Sequence, residues 1–456
     1  MGKKYDFDYI VIGSGPAGSA AALNLVGGRR RVALIEGRFF GGSNLNTLDV
    51  PFAAALDFAH TYTRIQTFPE LKNQDLNYNL PTINARELNT VIEVGGNNKK
   101  VFEDAGITCI KGYASFLDNH TVAVDDKKYT AAYFILATGS QLKVIEIAGT
   151  NTIKYYSPET AIKVRRLPKV VAVVGGGSTG CEIAEYYSEL GAKTILLESA
   201  ERLLPREDSE VGEIMTNYFT QNLGINVLLN AKVVALEQDE YSKRVIFRQD
   251  NIEKMVRVEA IVLATGSQPV VDYCLEDAGV KYKNSGIVVD KYFATSTKNI
   301  YAVGDCIGGE SSTDRATQEG IAVASNLVGG TKTVVNYNGF ARLTKTFPEV
   351  ATVGLNEDDL LKRDRKYKKV ITRLSETTAS KIYNFEDGFI KLLADKNDHI
   401  IGATIVAPDA ELMIEELALT IRHNLTAVEI ASTPHITNSY SYAIKLAAKA
   451  LLNKKR

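Results

Sequence analysis

YDFDYIVIGSGPAGSAAALNL, residues 5–25, decides how the rest of this chain is read. Tyr9–Ile12 is an apolar, β-prone run. Gly13, Gly15 and Gly18 follow it as GxGxxG, and a helical stretch comes next. Gly13 permits a tight turn, Gly15 lets the backbone approach a pyrophosphate, and Gly18 lets helix and strand pack closely. The N–H groups at the start of the helix then point at the phosphates. A second strand, RVALIE at 31–36, ends in Glu36, eighteen residues after Gly18. An acid at that distance accepts hydrogen bonds from a ribose diol. Strand, turn, helix, strand and acid together mark a dinucleotide site.

The same unit recurs in PKVVAVVGGGSTGCEIAEYYSELGAKTILLE, residues 168–198. The strand Val170–Val174 leads into Gly175, Gly177 and Gly180, and a second strand ends at Glu198, again eighteen residues on. Two complete units imply two dinucleotides. Glu198 would repel a 2′-phosphate, which favours NADH over NADPH, while Arg202 nearby offers a cation that could accept it. Each unit is followed by an apolar strand ending in Ala-Thr-Gly: FILATGS (134–140), which contains Gly139, and IVLATGS (261–267). NIYAVGDCIGG (299–309) ends a further strand in Gly304-Asp305, an acid placed to hold a sugar-alcohol hydroxyl or to cap a helix.

Composition bounds the function. The chain has 456 residues, room for about three domains of ordinary size. It is 45% hydrophobic and 23% charged with a net charge of -1, so nothing points to nucleic acid or an acidic membrane surface. The basic run KRDRKYKKV (362–370) reads as a solvated face. No apolar run approaches the ~20 residues of a membrane span, and a cytoplasmic protein is the expectation. Cys109, Cys181, Cys274 and Cys306 are far apart in sequence, with no CxxC or CxxxxC. They read as small buried residues, and scattered thiols suit a reducing compartment.

Together the two GxGxxG units, the two Ala-Thr-Gly strands, the Gly-Asp motif, FPEVATVGL (347–355) and the stretch 388–426 resemble the flavoprotein disulfide reductases. That family includes glutathione reductase, dihydrolipoamide dehydrogenase and mercuric reductase. The resemblance implies an α/β fold with two Rossmann-like domains, for FAD and NAD(P), and an α+β C-terminal dimerisation domain. It places FAD-binding segments at 1–150 and 269–335, the NAD(P) domain at 151–268 and the interface domain at 336–456. It further implies FAD at the first site, NADH or NADPH at the second, Asp305 on the ribityl chain, and a homodimer that builds each active site from both chains.

The resemblance stops at the redox centre. In GGSNLNTLDVP (41–51), the family's two cysteines fall on Asn44 and Asp49, while Gly41, Gly42, Leu45, Asn46 and Pro51 keep the frame. The family's lysine near the flavin falls on Ala53, and its glutamate partner on Glu182. The C-terminal HPTxSE reads HITNSY (435–440): His435 stays, Ile436 replaces proline and Tyr440 replaces the glutamate that supports the imidazole. Without a disulfide, reduced flavin can pass electrons directly to a small planar acceptor or to oxygen. The expectation is therefore an FAD-dependent NAD(P)H oxidoreductase of the diaphorase or quinone-reductase kind. Glu182 would position the nicotinamide, and Asp49 with His435 of the partner subunit would relay a proton to the acceptor. Helix capping is the other reading of Asp49. A catalytically silent FAD-binding scaffold and a pyridine nucleotide transhydrogenase are the alternatives for the whole chain.

Overall fold

The computed structural model describes residues 5–68, 70–71, 77–96, 98–143, 146–329 and 332–453. The chain divides into two compact units, one of residues 1–54, 81–144 and 266–337, the other of 55–80, 145–265 and 338–456. The α/β architecture expected from the repeated units is present in both.

In the first unit, Phe7–Ile12 lies between two parallel neighbours, Val32–Glu36 and Lys127–Leu136. Thr108–Lys111 extends the sheet beyond Val32–Glu36, and Ile300–Ala302 pairs in parallel with the end of Lys127–Leu136. Phe7–Ile12, Val32–Glu36 and the end of Lys127–Leu136 are mostly apolar because both faces are covered: Ala17, Ala21 and Ala22 of the following helix pack on one face, and Phe116, Val122 and Val124 pack on the other. Ile10, Val11, Ala33, Leu34, Phe134 and Ile135 are all fully or almost fully buried. The start of Lys127–Leu136 turns away into an antiparallel meander with Thr121–Val124 and Ala114–Asp118. Helix Pro16–Leu25 packs on helix Thr313–Val328 so closely that a Cβ at Gly320 would lie 2.2 Å from the Ala17 carbonyl oxygen. That contact sets Gly304-Asp305, at the end of Ile300–Ala302, beside the first glycine turn. Buried Glu319 fixes the position further by accepting from the Gly304 N–H (2.7 Å), the Arg315 guanidinium (2.7 Å) and the Tyr337 hydroxyl (2.8 Å).

The second unit repeats the design. Asn226–Leu228, Lys193–Leu197, Val170–Val174 and Ala260–Leu263 form a parallel sheet in that order. Lys232–Gln238, Lys243–Gln249 and Ile252–Val258 form an antiparallel meander. Residues 338–456 of this unit carry a five-stranded antiparallel sheet, ordered Ala341–Thr344, Glu349–Gly354, Ile400–Ala407, Phe389–Ala394 and Lys368–Arg373. Helices Ala410–Arg422 and Tyr442–Asn453 pack on it through Met413, Leu417, Ile444, Ala448 and Leu451.

One buried ion cluster ties this sheet to the segment that carries the parallel sheet of the same unit. The Lys391 side chain is 0% exposed. Its ammonium meets Asp208 at 3.0 Å, Glu210 at 2.9 Å and Glu357 closer still. Burial pushes the Glu357 carboxyl up, but hydrogen bonds from Lys391, Tyr367 and Lys369 outweigh it and hold the group at about 2. Its folded value lies below the ordinary 4.5, so its contribution to stability is complete above that value and is lost as pH falls through about 2. Lys391→Met leaves the carboxylates without their shared cation and should cost about 3–5 kcal/mol at pH 7. Denaturant titrations across pH check this, and the difference from the parent should shrink on acidification.

Candidate functional site

At both glycine turns the backbone conformation is one that only glycine adopts without strain: φ is +98° at Gly13 and +110° at Gly175. A Cβ at Gly18 would lie 1.9 Å from the Gly13 carbonyl oxygen, and one at Gly180 1.8 Å from that of Gly175. The middle glycines differ. At Gly15 and Gly177 a Cβ would meet no protein atom within 4 Å. Protein packing therefore explains the outer glycines but not the middle ones, which face open space at the N-termini of helices Pro16–Leu25 and Ser178–Glu189. Neither helix has a side-chain cap, so its leading N–H groups remain for an anion. Both turns thus have room for a pyrophosphate and donors to receive one.

The acids beside the turns are equally alike. Buried Glu36 accepts from the Ser14 N–H (3.0 Å) and hydroxyl (2.7 Å) on one oxygen and from the Arg38 N–H (2.6 Å) on the other. Buried Glu198 accepts from the Gly176 N–H (2.6 Å) on one oxygen and from Ala200 N–H (2.7 Å) and the Ser199 hydroxyl (3.1 Å) on the other. Each acid is held against its own glycine turn by backbone donors. Arg202, beside Glu198 in sequence, is engaged elsewhere: its guanidinium pairs with Asp358 at 3.1 Å and Glu201 at 3.2 Å.

Asp305 lies in the short 3-10 turn Gly304–Ile307, and its Oδ2 accepts from the Ser140 hydroxyl at 2.9 Å and from the Ser311 hydroxyl. Ser140 directly follows Gly139, whose φ of +69° ends the first Ala-Thr-Gly strand. The sequence reading singled out Asp305 and Gly139 but missed the two serines that aim the carboxylate, although Ser140 recurs as Ser267 in the second ATGS.

Asn44 lies in helix Gly42–Asn46, and Asp49 begins the long helix Asp49–Thr67. The Asn44 amide donates to the Asp49 carboxylate and to the Thr313 hydroxyl (2.5 Å), and that hydroxyl donates to Asp49 (3.3 Å). Positions 44 and 49 thus touch one another, joined by hydrogen bonds. Thr313, 264 residues from Asp49 in sequence, completes the group and carries no local signal of its own. All four cysteines are free. Burial pushes the Cys306 thiol up to about 12 and raises Cys181 well above its ordinary value, so both stay protonated at neutral pH and are poor nucleophiles.

Glu182, on helix Ser178–Glu189, accepts from the Lys345 backbone N–H at 2.8 Å, while the Lys345 ammonium turns to Glu411 at 2.7 Å. His435 corrects one expectation. Replacement of the family's glutamate by Tyr440 does not deprive the imidazole of a carboxylate, because Glu416 of helix Ala410–Arg422 lies 3.0 Å from His435 Nε2. The Thr433 carbonyl lies 3.0 Å from Nδ1. Tyr440 itself is buried, with its hydroxyl turned to the Phe385 carbonyl at 3.5 Å. Glu416 was missed because an acid inside a helical repeat reads as solvated surface.

Residues 7–320 match the pyridine nucleotide-disulphide oxidoreductase family, and residues 340–448 match the dimerisation domain of the same family. The chain belongs to this family. Its members bind FAD and NAD(P)H. A mercuric reductase of Bacillus cereus is 30% identical over 443 residues, covering 95% of this chain and 70% of that protein. A dihydrolipoyl dehydrogenase of Bacillus subtilis is 28% identical over 438 residues, covering 94% and 93%. Among solved structures, the HOCl-induced flavoprotein disulfide reductase RclA of Escherichia coli superposes with a TM-score of 0.87 at 24% identity, covering 97% of this chain and 99% of that one. LpdA of Mycobacterium tuberculosis also reaches 0.87, at 23% identity with the same coverage. The dimerisation domain supports a homodimer. No helix among the described residues is long and apolar enough to cross a membrane.

The glycine geometry predicts a separation of effects. Gly177→Ala should fold with stability within about 1 kcal/mol of the parent yet bind NADH weakly, because its Cβ intrudes only on ligand space. Gly180→Ala drives a Cβ into the Gly175 carbonyl and should destabilise by several times that amount. Denaturation midpoints and NADH titration of the two variants check the contrast.

Proposed function

We infer that this chain is an FAD-dependent NAD(P)H oxidoreductase that passes electrons from reduced flavin to a non-disulfide acceptor such as a quinone or oxygen. The observation that carries this reading is the Asn44–Asp49–Thr313 cluster. In the frame shared with the disulfide reductases, those two positions would have to supply thiolates, and a carboxamide bonded to a carboxylate cannot exchange with a disulfide. The protonated state of buried Cys181 and Cys306 supports it, since neither substitutes as a nucleophile.

The residues assign themselves to parts of this chemistry. Segments 1–150 and 269–335 would hold FAD, with Gly13, Gly15 and Gly18 on its pyrophosphate, Glu36 on its ribose, and Gly139 and Asp305 toward its ribityl chain. Segment 151–268 would hold the nicotinamide dinucleotide through Gly175, Gly177, Gly180 and Glu198, and segment 336–456 the partner subunit. When bound, the flavin supplies the transfer of two electrons from dihydronicotinamide to acceptor. Glu182, anchored by the Lys345 N–H, would orient the nicotinamide. Asp49 would hold a proton for the acceptor oxygen, and the partner subunit's His435 would relay it on exchanging one of its present ring contacts, Glu416 at Nε2 or the Thr433 carbonyl at Nδ1.

NADH is the preferred donor, because Glu198 presents a carboxylate and Arg202 is committed to Asp358 and Glu201. NADPH should show a KM higher by about tenfold or more, the effect of roughly 1.4 kcal/mol of repulsion; equal values for the two donors would remove this assignment.

An anaerobic NADH titration followed by an acceptor screen tests the function. One equivalent per FAD should bleach the flavin without a thiolate charge-transfer band, and a benzoquinone or naphthoquinone should reoxidise it faster than lipoamide, glutathione disulfide or Hg(II). Asp49→Asn should lower quinone turnover about a hundredfold while NADH still bleaches the flavin. Faster turnover with a disulfide or Hg(II) overturns the reading, and a flavin that neither NADH nor NADPH reduces makes the chain a scaffold.

A further inference from the structure

Two buried carboxylates and an imidazole meet in the second unit, and the chemistry above uses none of them. Glu185 and Glu189 stand one turn apart on helix Ser178–Glu189, and His60 reaches them from helix Asp49–Thr67. The Glu185 side chain is 0% exposed, Glu189 2% and His60 24%. His60 Nε2 lies 3.3 Å from Glu185 Oε2 and 3.8 Å from Glu189 Oε2, and one ligand atom from each residue falls within 4.8 Å of the others.

Among the described residues the two acids have few partners, a Thr63 hydrogen bond to Glu189 being one of them. Both oxygens of Glu185 accept from the single Phe347 N–H, at 2.9 and 3.0 Å. Glu189 Oε2 is buried without a hydrogen-bond partner. The side chain that faces both carboxylates is the His60 imidazole. Burial, reinforced by the neighbouring acids Glu182 and Glu185 respectively, raises Glu185 well above the usual carboxylate range and Glu189 to about 8. The contrast is the Asp208–Glu210–Glu357 group, whose centre is filled by the Lys391 ammonium.

We propose that His60, Glu185 and Glu189 form a binding site for a divalent first-row cation such as Zn(II). Bonds of about 2.0–2.2 Å to nitrogen and carboxylate oxygen place tetrahedral ligand atoms about 3.4 Å apart, close to the spacing of His60 with the two acids. Carboxylates at i and i+4 converge from one helix face, and the imidazole approaches from the neighbouring helix. The orphaned Glu189 oxygen becomes a ligand, and the ion supplies the positive charge the two acids lack. The partly exposed His60 edge is the way in, and an open fourth position falls to water. The cation thereby clips the helix that begins at Asp49 to the helix that begins at the second glycine turn. Binding is coupled to release of protons from the carboxyls.

Zn(II) titration of the full-length, flavin-loaded protein after chelator dialysis tests this, by calorimetry in two buffers of different ionisation heat, with metal content counted by mass spectrometry. One ion per chain, proton release and a raised melting temperature are expected. Glu189→Gln, which keeps the shape of the side chain, and His60→Ala should each weaken the ion by roughly a hundredfold or more. Retained flavin content and circular dichroism show that the variants fold. The proposal is overturned if the parent takes up no stoichiometric ion, or if parent and Glu189→Gln bind Zn(II) equally. In the first case Glu189→Gln should itself raise the melting temperature, as expected when a protonated acid pair is relieved without any metal.

Discussion

A single backbone contact, made twice, governs this molecule. In each nucleotide turn the carbonyl oxygen of the first glycine occupies the space where a Cβ on the third would sit, at 1.9 Å for Gly18 and 1.8 Å for Gly180. The contact fixes the helix against the strand that precedes it, so the first turn of the helix stands at the end of the sheet. Everything else at each site is placed by reference to that junction. Glu36 and Glu198 close on the turns through backbone N–H groups, and the middle glycines are left facing open space.

The parts of the fold that were legible in the sequence are those governed by such local rules. GxGxxG, a following helix, and an acid eighteen residues on can be read without knowing what packs where. Continuous apolar strands declare a parallel sheet covered on both faces. Contacts made across long sequence separations were not legible. Thr313 meets Asp49 only because Thr313–Val328 returns to pack on Pro16–Leu25, and nothing in the residues around position 313 announces it. The Lys391 cluster draws partners from positions 208, 210 and 357, each of which in isolation looks like a surface acid. Glu416 was hidden for the same reason: it stands nineteen residues before His435, on helix Ala410–Arg422.

The redox position shows how such a replacement stays compatible with the fold. Two thiols held together need a short loop between two elements. Here the same loop joins helix Gly42–Asn46 to helix Asp49–Thr67, with an amide donor and a carboxylate acceptor in contact across it. An acidic side chain at the first residue of a helix is favoured by the helix dipole, so Asp49 suits that place. A hydrogen bond and a dipole thus hold positions 44 and 49 together without a covalent link.

The buried acids of this chain differ in what answers their charge, and that difference sorts their chemistry. Backbone N–H groups answer Glu36 and Glu198, which are held fixed against the two glycine turns. A lysine answers Asp208, Glu210 and Glu357, and Glu357 is held ionised down to about pH 2 as part of the scaffold. The Phe347 N–H answers Glu185, a Thr63 hydrogen bond answers Glu189 and the His60 imidazole faces both, and desolvation prevails over these, raising both acids. A protein that needed these two residues for packing alone would gain by making them apolar, since burying an unanswered carboxyl costs more than burying a methylene of similar volume. Their retention beside His60, with one oxygen still unbonded, is intelligible when something brought from solution supplies the missing positive charge.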